Sequence, residues 1–162
     1  MTDTPRRLTP DAVDAVAALA RVVWQATYPT LISQGQIDTM LADRYAATRI
    51  RSQLDDPHHA WWVIGSPPAG FAHVVTDATT AKLDKLYIHP KRQRLGLGAA
   101  LVNACIDWAR AQGHRVLRLQ VNRGNTQAMH AYQKYGFSVV ESRVFDIGQG
   151  YVMDDHVMER AL

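Results

Sequence analysis

At Pro57 the apolar residues change from a helical to an extended period, and that change limits what this chain can become. Upstream, Val13, Val16, Ala17, Ala20, Val23 and Trp24 follow helical spacing after a short strand-like start at Arg6. Thr9 suits an N-cap with Pro10 at the first position, so a helix is expected from Pro10 to Ala26. One or two further helices are expected before Pro57, with Ile37, Met40 and Leu41 on one apolar face and Ile50 and Leu54 on another. Downstream come three β-rich runs, AWWVIG, GFAHVVT and AKLDKLYIH, the first two joined by SPPA. A helix is then expected over Leu97–Gln112, with Leu97, Leu101, Ala104, Cys105 and Trp108 as its apolar stripe. RVLRLQV predicts a strand, Thr126–Tyr135 a helix, and FSVVESRVF and YVMDDHVMERAL two last strands around the turn DIGQG. Hairpins mixed with crossovers predict an α/β (mixed α+β) fold with a mixed sheet, not a doubly wound dinucleotide fold.

The length suits a single domain over residues 1–162. One cysteine, Cys105, rules out an internal disulfide. The net charge of +3 and the scattered basic residues argue against nucleic acid as a partner. No run approaches the ~20 apolar residues that span a bilayer, and the polar start MTDTPRRLTPDAV lacks a signal's apolar core. The expectation is a cytoplasmic protein with no membrane partner. Seven histidines show no metal-ligand spacing, so no metal is expected.

Between the third β-run and the Leu97 helix lies KRQRLGLG. A helix N-terminus offers free N–H groups and a positive dipole end. Gly96 and Gly98 let the backbone approach a diphosphate, and Arg92 and Arg94 add charge. The dinucleotide fingerprint is incomplete because Leu101 stands at its third glycine, and no Gly-Lys-Ser/Thr of a P-loop follows. Tight helix–strand packing is the plainer reading of the glycines.

The neighbouring residues point further. LDKLYIHPKRQRLGLGAALV resembles the acetyl-CoA motif Q/R-x-x-G-x-G/A of the GNAT superfamily of N-acetyltransferases, with Gln93, Arg94, Leu95, Gly96, Leu97 and Gly98 in the motif positions. NRGNTQAMHAYQKYGF resembles the second family motif through Asn125, Ala128, Tyr132, Lys134, Gly136 and Phe137. The likeness runs over essentially the whole chain. WQATYPTLISQGQIDTML and FDIGQGYVMDDHVMERAL add a weaker resemblance to a branch that includes bacterial polyamine acetyltransferases. The resemblance implies a mostly antiparallel mixed sheet of about seven strands, splayed between strands ending near Ile88 and Val121. It implies acetyl-CoA (coenzyme A) as cofactor, with its diphosphate wrapped by backbone N–H groups from Gln93 to Ala99. The pantetheine arm would pair with main chain at Leu86, Tyr87 and Ile88.

Acetyl transfer needs a neutral amine, a donor for the developing oxyanion and a proton for the departing sulfur. By the resemblance Tyr132 is the proton donor, and an N–H near Ile88 serves the oxyanion. Tyr132 also shares a helix face with Ala128 and Tyr135 and is open to a reading as core. Strict alternation puts Lys82, Asp84, Leu86 and Ile88 on one face, which makes Asp84 a candidate base or a holder of a cationic substrate; a salt bridge to a nearby Lys or Arg is the alternative. Many members of the family carry a Glu on this strand, and none is present here. Asn125 suits both a helix cap and a place beside pantetheine, and Ala128 both a close ligand approach and simple helix propensity. By the resemblance Trp24, Tyr28 and Asp38 fall where substrate-facing elements lie; aromatics at helical spacing also serve as core. Asp154 and Asp155 either attract an amine or flank a sheet edge. The reading is direct acetyl transfer to a primary amine of a small molecule, with a polyamine or related amine leading. Alternatives are a peptide N-terminal or lysine acceptor, a non-catalytic acyl-CoA sensor, and a nucleotide binder. The family resemblance also implies pairing of two copies through the last strands as a homodimer.

Overall fold

Residues 4–162 are described by the computed structural model. The meander that begins after Pro57 forms the middle of the molecule: β2 (His59–Ile64), β3 (Gly70–Thr76) and β4 (Ala81–Ile88) pair antiparallel in sequence order. β1 (Arg6–Arg7) adds to the outer edge of β2. A crossover through α4 (Leu97–Ala111) returns the chain to β5 (Val116–Asn122), which lies parallel to β4. After α5 (Thr126–Lys134) the chain closes with the hairpin β6 (Ser138–Gly148) and β7 (Tyr151–Ala161). The seven strands run in the order β1-β2-β3-β4-β5-β7-β6. All neighbours are antiparallel except β4 and β5, as the mixed, mostly antiparallel expectation requires.

Helices cover both faces. α1 (Val13–Thr27), α2 (Gln34–Arg44) and α3 (Ala47–Leu54) pack Val16, Val23, Trp24, Ile37, Met40 and Ile50 with Trp61, Val63 and Phe71. On the other face α4 sets Leu101, Val102, Cys105, Ile106 and Ala109 against Ala72, Val74, Leu83, Leu117, Leu119 and Met158. Lying between two layers, β3 buries almost every side chain. That explains why GFAHVVT is a continuous run rather than an alternating one.

Several element boundaries differ from the sequence reading. Pro10–Ala12 forms a 3-10 turn, and the first α-helix starts at Val13. Thr9 does not cap it; its hydroxyl donates to the Asp11 carboxylate instead. The α4 face is centred on Leu101, Val102, Cys105, Ile106 and Ala109, which leaves Ala104 and Trp108 at its margins. β6 extends through Gly148 into the expected DIGQG turn, whereas β7 starts at Tyr151 as expected, so the reversal narrows to Gln149 and Gly150.

The larger correction concerns β4. His73 pairs with Lys85 and Val74 with Leu83, so Asp84 is left as an unpaired bulge residue. The extra residue shifts the phase of the strand. Ala81, Leu83, Leu86 and Ile88 pack toward α4, while Lys85 and Tyr87 turn to the α1–α3 side. Asp84 reaches His73 and Lys85 on that second side, so it does not share a face with Leu86 and Ile88.

Phe71 is fully buried among Trp61, Tyr45 and Tyr87. Phe71→Ala is expected to cost about 3–5 kcal/mol, read as a lower urea midpoint at unchanged slope.

Candidate active site

β4 and β5 touch through only two residue pairs, Ala81 with Leu117 and Lys82 with Arg118. Beyond them the strands part. From Leu83 to Ile88, β4 keeps its bonds to β3 but has no strand on its β5 side, which leaves an edge of main-chain N–H and C=O groups exposed in the gap. The gap is a cleft of about 780 Å3 that passes between α4, α5 and the end of α1. Leu86, Tyr87 and Ile88 line one wall; Gln120, Val121, Asn125, Ala128 and Tyr132 line the other.

At one mouth the chain leaves β4 through the turn Pro90–Arg92 and enters α4. Gly96 stands at the N-cap with φ +80°, a conformation that glycine adopts without a steric cost. No side chain caps the helix, so its first N–H groups are available to an anion. Arg92, Gln93, Arg94, Gly96, Leu97 and Gly98 line this mouth. At Gly98 a Cβ would come within 2.6 Å of the Tyr135 hydroxyl oxygen, so with glycine there the Tyr135 ring can rest against the first turn of α4. These features fit the diphosphate and arm of coenzyme A. Leu95, however, projects outward with 62% of its surface exposed, and Ala99, half-buried, does not line the cleft.

Asn125 caps α5 by accepting from the Ala128 N–H at 3.2 Å, and it also lines the cleft. Tyr132 packs edge-on against Tyr135 and Phe137, with ring centroids 6.5 and 5.9 Å away. Burial pushes its hydroxyl well above the ordinary tyrosine range, so it holds its proton at neutral pH.

The other mouth is lined by Val23, Thr27, Tyr28 and Asp84. Tyr28 and Tyr87 share a hydroxyl–hydroxyl bond of 2.8 Å, and burial raises the Tyr28 hydroxyl to about 12. Trp24 is not on the wall. It is 3% exposed, donates its indole N–H to the Tyr45 hydroxyl at 3.1 Å, and supports Tyr28 from behind. Asp38 is also outside the cleft: it sits on the exposed face of α2 and accepts from Gln34. Asp154 pairs with Arg123 at the surface. Asp155 is buried, accepts from the wall residue Gln120 at 3.3 Å, and keeps Oδ1 without a protein partner.

Asp84 is the centre of a polar cluster that sequence reasoning left unassembled. Its carboxylate lies 2.6 Å from Lys85 Nζ and 3.3 Å from Lys82 Nζ. Burial works against its charge, but the His73 contact and the two ammonium groups outweigh that and hold its carboxyl well below the usual range. His73, stacked on Trp61 at 4.3 Å, is pushed down from 6.5 to about 3, chiefly by burial. The available signal was a His and a Lys at matching places in two adjacent apolar strands, where buried polar groups need partners.

Residues 22–137 match a family model described as the acetyltransferase (GNAT) family. A spermidine N(1)-acetyltransferase of Thermoplasma acidophilum is 24% identical over 155 residues, covering 92% of this chain and 94% of that one. The crystal structure of the PaiA N-acetyltransferase from Thermoplasma acidophilum in complex with coenzyme A is similar in fold. Its TM-score is 0.84 at 21% identity, over 98% of both chains. The ribosomal-protein-S18-alanine N-acetyltransferase of Escherichia coli gives a TM-score of 0.71 at 20% identity, over 98% of this chain and 92% of that one.

The polar cluster makes the fold acid-sensitive in a defined window. An unfolded His73 takes its proton near 6.5, whereas the folded ring resists until about 3, so the unfolded chain binds more protons in between. Stability should therefore fall as pH drops from 6.5 toward 3, with Asp84 adding its loss below 3.8. Urea midpoints measured across that window, and an NMR titration finding the His73 ring neutral at about pH 5, check this.

Proposed function

The chain belongs to the GNAT family of acetyltransferases and is an acetyl-CoA-dependent N-acetyltransferase, and from that premise we propose that its acceptor is a primary amine of a small cationic molecule. The observation that carries the reading is the parting of β4 from β5 beside the uncapped start of α4. Bound there, acetyl-CoA supplies an activated thioester. The N–H groups from Gln93 to Ala99 hold its diphosphate, with Arg92 and Arg94 adding charge at the rim. The open main chain at Leu86, Tyr87 and Ile88 pairs with the pantetheine arm, and Asn125 and Ala128 border it on the facing wall. An N–H near Ile88 steadies the developing oxyanion. Tyr132 gives a proton to the departing sulfur, a role suited to a hydroxyl whose burial keeps it protonated.

The acceptor enters at the Tyr28 mouth and attacks directly, with no acetylated protein residue between. Asp84 borders the cleft but is already paired with Lys82 and Lys85, so the carboxylate that favours a cation there is Asp155. Asp155 lies one hydrogen bond behind Gln120 and retains an unpartnered oxygen, which a buried acid tolerates only at a cost that a cationic partner relieves. The similarity to a spermidine N(1)-acetyltransferase over almost the full length supports a polyamine or related amine as the class.

Free-thiol release from acetyl-CoA across polyamines, amino acids, aminoglycosides and short peptides tests the acceptor. Release with small polycations and not with peptides is expected; the reverse preference sinks the small-molecule reading. Tyr132→Phe is expected to lower kcat by roughly 10²-fold while the KM for acetyl-CoA holds, and unchanged turnover would remove Tyr132 from the chemistry.

A further inference from the structure

The parted strands give the cleft two sides. Leu117, Leu119 and Val121 of β5 point into the α4 cluster, so alternation turns Gln120 to the α1 side, where Tyr28 and Tyr87 stand. On β7, Met158 packs with the α4 cluster and Met153 with the α1–α3 cluster, which puts Asp155 on the same side as Gln120. The register pairs Gln120 with Val157 and Asn122 with Asp155, so Gln120 and Asp155 are diagonal neighbours. Coenzyme A held by α4 and α5 reaches the gap from one side, and an acceptor beside Tyr28 reaches it from the other.

Gln120 connects that second side to a buried charge. It is half-buried in the cleft wall, whereas Asp155 is 1% exposed. Gln120 Nε2 donates to Asp155 Oδ2 at 3.3 Å, and Asp155 Oδ1 has no partner among the described residues. An ionised carboxylate only accepts, so the amide must turn its nitrogen toward Asp155. A planar amide engaged through its nitrogen points its oxygen the other way, and Gln120 Oε1 accepts from no donor among the described residues. Burial raises the Asp155 carboxyl from 3.8, and the Gln120 N–H, Lys82 and Arg44 support its charge against that. Nearby polar groups are already engaged: the Tyr28 and Tyr87 hydroxyls bond each other, and Lys82 and Lys85 hold Asp84. Gln120 therefore brings a free acceptor atom, of fixed orientation, to the side from which an amine arrives.

We propose that Gln120 receives the attacking nitrogen, accepting one of its N–H groups at Oε1, and that Asp155 is the positioning residue that fixes the amide in this orientation. The inference rests on the amine-acceptor reading above. A neutral amide suits the task. A carboxylate in direct contact favours the protonated ammonium, whose nitrogen has no lone pair to give. An amide oxygen holds an N–H of the neutral amine and leaves the pair free. In the attack the nitrogen pair forms the C–N bond and the carbonyl pair moves to the oxygen. The nitrogen becomes positive, its N–H groups become stronger donors, and the Asp155 charge behind the amide supports them most in that state. Collapse breaks the C–S bond. The sulfur takes the Tyr132 proton, the nitrogen gives one proton to water, and water restores Tyr132.

Asp155→Asn keeps the size of the side chain but can donate as well as accept, so it no longer dictates how the Gln120 amide turns. Gln120→Met keeps the length and removes the acceptor. With spermidine, or the panel amine that wild type turns over fastest, each variant is expected to lower kcat by about ten-fold or more. The KM for acetyl-CoA and the slow thiol release without amine should hold, which a general loss of structure would not allow. Once Gln120→Met is in place, adding Asp155→Asn should cost no further activity. Wild-type kcat in Asp155→Asn, an equal fall in the amine-independent release, or a full second loss in the double variant would overturn the inference. Wild-type protein that releases no thiol with any amine would overturn the acceptor reading and this inference with it, whereas an active wild type indifferent to Asp155→Asn overturns the inference alone.

Discussion

Two residue pairs between β4 and β5 carry the architecture of this protein. If the parallel contact at Ala81–Leu117 and Lys82–Arg118 continued along both strands, the sheet would close and leave no cleft. If it were absent, the meander and the β6–β7 hairpin would be joined only through helices. The contact is short enough to open the sheet and is secured from below. Ala81, Leu83, Leu117 and Leu119 all bury against α4 in one cluster. Apolar packing on one face therefore offsets the hydrogen bonds given up along the gap, and the exposed strand edge becomes a surface for a ligand's own amides.

The bulge at Asp84 sits at the point where the strands begin to part. By adding a residue it turns Lys85 and Tyr87 toward the helices α1–α3 and returns Leu86 and Ile88 to the α4 side. One irregularity thus provides both an apolar wall for the cleft and a charged pair on the opposite face. A buried charge is tolerated only with close partners, and here the partners are supplied across the strand pair by His73 and along the strand by Lys85 and Lys82.

Local chemistry was the readable part of the sequence. The Gly96–Gly98 loop, the uncapped helix start, Asn125 as a cap and the buried stripe of α1 depend on neighbours within a few positions, and each stands in the structure where its pattern implied. The strand count and the splay were legible from turn residues together with the family resemblance. Contacts set by tertiary registration were not. Strict alternation put Asp84 on the wrong face because a bulge leaves no trace in a period-two pattern. Trp24 looked available to a substrate because nothing local revealed that Tyr45 would claim its N–H. Asp38 stands on the exposed face of α2, a helix that does not line the cleft. The Asp84–Lys85–His73 cluster spans two strands and becomes visible only once their register is fixed.

The contact at Gly98 has a mechanical side. The Tyr135 hydroxyl stands against the glycine where a Cβ would meet it, so the first turn of α4 and the end of α5 meet there through the tip of one tyrosine ring. A ring turns about its own side-chain bonds between staggered positions. The wall of the cleft at Gly98 can therefore yield to a ligand by rotation of one side chain, with neither helix axis displaced.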